Sequence, residues 1–236
     1  DALAAEPSVT LRLGCEVERV GGNGRRSLHD RGGAALGEFD LVLNAGGGDA
    51  ASRLNGELGA QVRPYPWGAL WFVARDPERI FRDRLHQVVD GTRRMLGLLP
   101  TGLAPGSTTP VASLFWSVRI DRVAELRQGG LARWKAAVLD LEPRAAPVVD
   151  QIDDLDQLLL ARYCDVRMRR WHGERIAALG DAAHATSPQL GQGANLALWD
   201  AMILADSLAD KGDLAAALES YSRTSRAHLR YYQFAA

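Results

Sequence analysis

Residues 175–210 read RIAALGDAAHATSPQLGQGANLALWDAMILADSLAD, and this stretch restricts the fold most tightly. The short apolar run from Ile176 to Leu179 has the pattern of a strand buried on both faces. It ends at Gly180-Asp181, passes through small residues and Ser187-Pro188, and enters an apolar helix after Gly191-Gln192-Gly193. A buried strand feeding a glycine-rich turn and a helix predicts an α/β layer. Asp181 stands just past the strand, where a carboxylate can accept hydrogen bonds from ligand hydroxyls. The helix start offers backbone N–H groups and roughly half a positive charge, which suits an anion or an electron-rich carbonyl. Gly191 and Gly193 let that backbone approach a ligand closely. Asp181 could equally cap the small-residue segment AAHAT, with the glycines serving loop geometry, and at this level both readings stand. His184 reads as packed or capped rather than catalytic.

The rest of the chain surrounds this layer with a different one. SVTLRLGCEVERVGGNGRRSLHD alternates apolar and polar residues and breaks at GGNG, which predicts strand, turn and strand. EFDLVLNAGGGDAASRLNGELG reads as strand, glycine turn and short helix. Its Gly46, Gly48 and Ala51 fit the spacing G-x-G-x-x-G/A. A dinucleotide fingerprint also needs an acidic residue about 20 positions on, and VRPYPWG supplies none. A tight strand-to-helix turn is therefore the preferred reading there. YPWGALWFVARDP, HQVVDGTRRMLGLLPTG and TPVASLFWSVRI read as strands, with Asp90-Gly91 marking a hairpin. A helical pattern follows, broken at Gly129-Gly130 and Pro143. From about Gln61 to Arg170 the chain is rich in aromatic and β-branched residues, which predicts a mostly antiparallel sheet inserted into an α/β domain. Trp67, Trp71, Phe115 and Trp116 fall on strands and read as core, although alternation can turn some of them toward a pocket.

Bulk composition excludes some classes. The 236 residues are 47% hydrophobic and 24% charged with a net charge of −1, which argues against a nucleic-acid protein. The arginine-dense run VRMRRWHGER is balanced by carboxylates elsewhere and reads as a solvated edge strand and turn. Cys15 and Cys164 match no metal or disulfide spacing and are expected as buried free thiols in a reducing, cytoplasmic compartment. No run of about 18 apolar residues predicts a transmembrane helix.

At this point the residues carry a resemblance. RIAALGDAAHATSPQLGQGANLALWDA is similar to the Gly-Asp motif of the FAD-dependent aromatic hydroxylases, the para-hydroxybenzoate hydroxylase family of class A flavoprotein monooxygenases. FDLVLNAGGGDAASR resembles that family's second motif, an apolar strand followed by Gly-Ala-Asp-Gly, a Ser and an Arg. The resemblance implies a three-layer FAD/NAD(P)-binding domain formed by residues 1–60 and 171–236, with residues 61–170 as the substrate-binding sheet. It implies that Asp181 bonds the ribityl or ribose hydroxyls of FAD. Gly191, Gln192, Gly193, Ala194 and Asn195 would face the flavin's pyrimidine edge, with Arg53 as a further cofactor contact. Pro188 would sit at the flavin–substrate boundary. The pocket is expected to be walled by Trp67, Trp71, Phe72, Phe115 and Trp116, for a small, planar, mostly aromatic substrate. In such enzymes NAD(P)H reduces FAD, O2 adds at flavin C4a, and the hydroperoxide hydroxylates the substrate. No protein nucleophile is expected.

Two departures qualify the resemblance. Gly46 stands where the family has Asp, and Ala50 where it has Ser, so only Arg53 of that set remains. The first βαβ unit that normally carries G-x-G-x-x-G does not precede Asp1 in this sequence. The expectation is therefore a fragment, inactive alone and prone to self-association through uncovered apolar surface. A non-hydroxylating flavoprotein of the same fold and a degenerate binding remnant are the alternatives.

Overall fold

The computed structural model describes residues 5–104, 106–210 and 212–235, the side chains of 52, 189, 231 and 233–235 aside. The chain divides into two units, residues 1–63 with 164–236 and residues 64–163. The alternating segment 8–13 forms no strand. Leu11 and Leu13 are 55% and 85% exposed there, because alternation builds a strand only where a neighbouring strand takes up its hydrogen bonds. Three short antiparallel strands follow: β1 (Arg19–Gly21), β2 (Arg26–His29) and β3 (Ala35–Phe39). Next come β4 (Val42–Asn44) and helix α1 (Gly47–Leu54).

The chain then enters the second unit along β5 (Ala60–Arg75). The predicted hairpin forms between β6 (His86–Asp90) and β7 (Arg94–Leu103), with Gly91 at φ 54° in its turn. After β8 (Pro110–Arg119), helix α2 (Val123–Leu141) kinks at Gly130, where φ is 77°, and ends before Pro143. A short helix α3 (Ala146–Val149) leads to β9 (Leu159–Met168), which returns to the first unit. The order β6-β7-β8-β5-β9 makes one five-stranded sheet. One face of that sheet carries Leu70, Leu96, Leu98, Leu114 and Trp116, which pack with Trp134, Val138, Val148, Val149 and Ile152 from the helical layer. Burying each large apolar side chain stabilises the unit by about 1.5–3 kcal/mol.

The first unit is completed by β10 (His172–Gly173), β11 (Ile176–Ala178), α4 (Asp181–His184), α5 (Gly193–Asp210) and α6 (Leu214–Ala235). The apolar run is the strand expected: Ile176, Ala177 and Ala178 are each 0% exposed and pair in parallel with Val42, Leu43 and Asn44. Leu196 and Leu204 of α5 and Leu218, Tyr221 and Leu229 of α6 belong to the core around β11. The chain is thus a mixed α/β fold with an antiparallel sheet in the middle of its sequence. No described helix is long and apolar enough to cross a membrane. Cys15 is exposed, against the expectation of a buried thiol, and Cys164 is half-buried.

Candidate flavin site

The Asp181 loop depends on one glycine. Gly180 has φ 58° and ψ −143°, a combination open to glycine and strained for other residues. A Cβ at that position would stand 3.0 Å from Cβ of Ala197 on α5. The turn therefore lets α5 pack against the end of β11, and it starts α4 with Asp181 exposed while Ala182, Ala183 and His184 are buried.

A buried polar network holds this turn from behind. Asp200 Oδ2 accepts the Gly180 N–H at 2.9 Å and lies 2.7 Å from His184 Nε2. A carboxylate only accepts, so Nε2 carries the proton in that bond. The two side chains are 2% and 4% exposed. His184 stacks on Trp171 with ring centroids 5.2 Å apart, and Trp171 leans on Tyr221. The Tyr221 hydroxyl donates to Ala178 O at 2.7 Å, and burial pushes its ionisation well above the usual range. On the other side Asn44 Nδ2 donates to Asn55 Oδ1 at 2.9 Å, Asn55 Nδ2 donates to Ala182 O at 2.9 Å, and Asn44 Oδ1 accepts the Gly46 N–H at 3.0 Å. Sequence reasoning missed Asp200, Asn44 and Asn55. The available signal was a polar residue inside an otherwise apolar strand or helix, as in LVLNA and ALWDA.

At the start of α5, Leu196 N–H donates to Gln192 O at 2.9 Å. The amides of Gly193, Ala194 and Asn195 precede that bond and lack an intrahelical acceptor, and all three residues are exposed. Asp181 Oδ1 lies 3.6 Å from where a Cβ on Gly193 would stand. A hydroxyl-accepting carboxylate and three amide donors thus share one open edge, with a glycine where a larger side chain would fill the space. This set fits the flavin half of FAD, which offers hydroxyls to accept from and an electron-rich ring edge to donate to. Gly191, at φ 60°, closes the turn Pro188–Leu190. Pro188 is exposed, and half-buried Gln192 accepts from Asn195 Nδ2 at 3.2 Å.

Arg53 is engaged within the chain: its Nη1 lies 2.9 Å from Glu16 and 2.8 Å from Glu18, so a cofactor contact through this guanidinium would have to compete with two carboxylates. The glycine turn Gly46–Gly48 serves close packing: a Cβ on Gly48 would stand 2.4 Å from Cys164 Sγ.

In the second unit the expected pocket aromatics fall on two faces. Trp71 and Phe115 are cross-strand partners and stack at 5.6 Å with planes 14° apart. Trp67 shares their face by the two-residue period of β5, with the Arg119 guanidinium 6.0 Å from its ring centre. Phe115 lies across Gly97, where a Cβ would come within 1.9 Å of its ring. Phe72 and Trp116 point the other way: Trp116, 6% exposed, belongs to the helix-side core with Phe72 packed against it. Alternation puts neighbours 71 and 72, or 115 and 116, on opposite faces, so both members of a pair cannot line one pocket.

Known proteins of this build give the site its context. Monooxygenase CTB7 of Cercospora beticola is 26% identical over 94% of this chain and 55% of its own length. The solved 2-methyl-3-hydroxypyridine-5-carboxylic acid oxygenase superposes with a TM-score of 0.70 at 20% identity, covering 93% of this chain and 58% of that one. Klebsiella pneumoniae HpxO, solved with FAD and uric acid, superposes with a TM-score of 0.64 at 21% identity, over 89% of this chain and 53% of that one. The chain spans about half the length of these proteins. The family model described as FAD binding domain matches residues 101–231, more than half of the 236 residues, and the chain belongs to that family of FAD-dependent proteins.

Proposed function

We propose that this chain is the flavin-facing and substrate-facing portion of an FAD-dependent monooxygenase that hydroxylates a small planar, aromatic substrate with NAD(P)H and O2. The observation that carries the reading is the Asp181 carboxylate set beside the bare Gly193 start of α5. Asp181 accepts hydrogen bonds from ribityl or ribose hydroxyls. The amides of Gly193, Ala194 and Asn195 favour negative charge on the ring edge, with Gly191 and Gln192 shaping the approach. The chemistry FAD supplies when bound is acceptance of electrons from NAD(P)H and activation of O2; the chain supplies position, polarity and exclusion of water. Pro188 orients a substrate hydroxyl through its carbonyl, and the flat pair Trp71 and Phe115, with Trp67, gives a planar ring an apolar surface to stack on. The monooxygenase name of the relative above and the uric acid bound to HpxO support this class of reaction and substrate.

The test is NAD(P)H-dependent oxygen uptake with a panel of hydroxylated aromatic and heteroaromatic acids, in a protein of the relatives' full length. Substrate-stimulated uptake with hydroxylated product is expected. Flavin reduction without any oxygenated product across the panel would favour a non-hydroxylating oxidoreductase, and FAD affinity unchanged by Asp181→Ala would remove the flavin-site reading itself.

A further inference from the structure

The arginine run VRMRRWHGER does more than edge a sheet. Its Arg167, Arg170 and Arg175 line a cleft of about 1260 Å³ together with Arg223, Arg226 and Arg230 of α6. The three on α6 follow i, i+3, i+7 spacing, which places them on one helix face. The cleft shares no lining residue with the Asp181 loop or the start of α5. Three carboxylates, Glu174, Asp213 and Glu219, also line it, yet none of the six arginines forms an ion pair among the described residues. Arg170, Arg175 and Arg226 donate to backbone carbonyls, of Glu57, Asp40 and Arg169. Such bonds fix a guanidinium in place without neutralising it. Elsewhere Arg26, Arg53, Arg94 and Arg144 are each paired with a carboxylate. His172 adds a polar wall, its Nδ1 2.6 Å from Ser222 Oγ.

We propose that this cleft binds a small molecule through its phosphate groups. Six guanidiniums against three carboxylates leave the concave wall net positive, and a cleft with such a wall focuses positive potential on its interior. The planar guanidinium fork matches phosphate oxygens in a bidentate way. The volume exceeds the roughly 300–1,000 Å³ of ordinary small-molecule pockets, so a nucleotide-sized ligand fits as well as a bare diphosphate. Bulk charge does not account for anion binding, because the net charge of the chain is −1. The proposal stands apart from the flavin site and does not rest on the monooxygenase reading.

The experiment is calorimetric titration of the 236-residue chain with inorganic pyrophosphate and, separately, with ADP and adenosine. Saturable one-to-one binding of pyrophosphate and ADP is expected, with none of adenosine. The double variant Arg223→Ala, Arg230→Ala changes exposed residues, should keep the far-UV circular dichroism and unfolding midpoint of the parent, and should bind both ligands at least about tenfold more weakly, the scale of a lost charge-assisted hydrogen bond. Tighter binding of ADP than of pyrophosphate would identify a nucleotide as the ligand; equal binding would identify the phosphates alone as what is recognised. Absence of saturable binding, or binding of polyglutamate but of neither phosphate ligand, would overturn the proposal. Loss of pyrophosphate binding in Gly193→Val, with retention in the arginine variant, would place the anion at the start of α5 and overturn it equally.

Discussion

Asp200 lies on α5 and His184 at the end of α4, and their side chains meet at 2.7 Å in the core beneath the Asp181 turn. The same Asp200 oxygen takes the Gly180 N–H. Removing the carboxylate leaves a buried imidazole N–H and a buried backbone N–H without an acceptor. Asp200→Ala should therefore cost about 2–4 kcal/mol of stability, read as the midpoint of urea unfolding followed by circular dichroism. Asp200→Asn keeps an acceptor oxygen and should cost less. A midpoint unchanged by the alanine substitution would show that the network does not hold the turn.

Asp181 is exposed and its neighbours on α4 are not, so its removal should leave folding nearly untouched. Asp181→Ala in a full-length protein should weaken FAD by about 1.5–3 kcal/mol, measured by flavin fluorescence titration, while the unfolding midpoint stays put.

The two glycines of the site should separate fold from ligand. Gly180→Ala forces a side chain into φ 58° and against Ala197 and should destabilise the first unit by about 1–3 kcal/mol. Among the described residues a Cβ on Gly193 meets only Asp181 Oδ1, at an ordinary 3.6 Å, so Gly193→Ala should fold normally. Gly193→Val fills the open edge and should lower FAD occupancy or the flavin's reduction potential, read by absorbance during reductive titration. Full occupancy and an unaltered potential in the valine variant would contradict the role given to the helix start.

Phe115 lies across Gly97, beside Trp71. Gly97→Ala cannot be accommodated without moving the Phe115 ring. The stack should open, the near-ultraviolet circular dichroism of the tryptophans should change, and aromatic substrates should bind more weakly, with KM rising before kcat falls. Identical near-ultraviolet spectra for parent and variant would refute the arrangement.

In the second unit Glu142, its side chain 8% exposed, is bonded by Arg144 and His86. Its pKa is lowered from 4.5 to about 2, mainly by the Arg144 hydrogen bond. A depressed folded-state pKa gives stability that is present above the unfolded value and lost as pH falls toward the folded one. Stability supplied by this carboxylate should hold above pH 4.5 and fade between pH 4.5 and about 2. Glu142→Gln should flatten that limb of the acid-unfolding curve by on the order of 1–2 kcal/mol, allowing for solvent screening at the exposed Arg144.

The strand from Ile176, the hairpin at Asp90-Gly91, the break at Gly130 and the paired helices at the end of the chain were legible in the sequence. Each follows from local rules: an uninterrupted apolar run, a turn dipeptide, a residue free to leave helical angles, and 3.6-residue spacing. Asp181 and Gly193 were legible as a pair because a strand–turn–helix motif brings them together with few residues between. What lies across long separations was not. The alternating segment 8–13 has the pattern of a strand and forms none, since pairing needs a partner that pattern alone does not supply. Whether Trp71 and Phe115, or Phe72 and Trp116, face the helices depended on where α2 and α3 pack, and packing gave that face to Phe72 and Trp116. Arg53 matched a motif position, yet Glu16 and Glu18, 37 and 35 residues earlier, take its charge. The six arginines of the cleft are scattered from 167 to 230 and become one positive surface only when α6 folds beside β9 and β10. Local patterns write the elements of this protein; which side chains meet is decided by how those elements exclude water, because packing and charge pairing act through space and not along the chain.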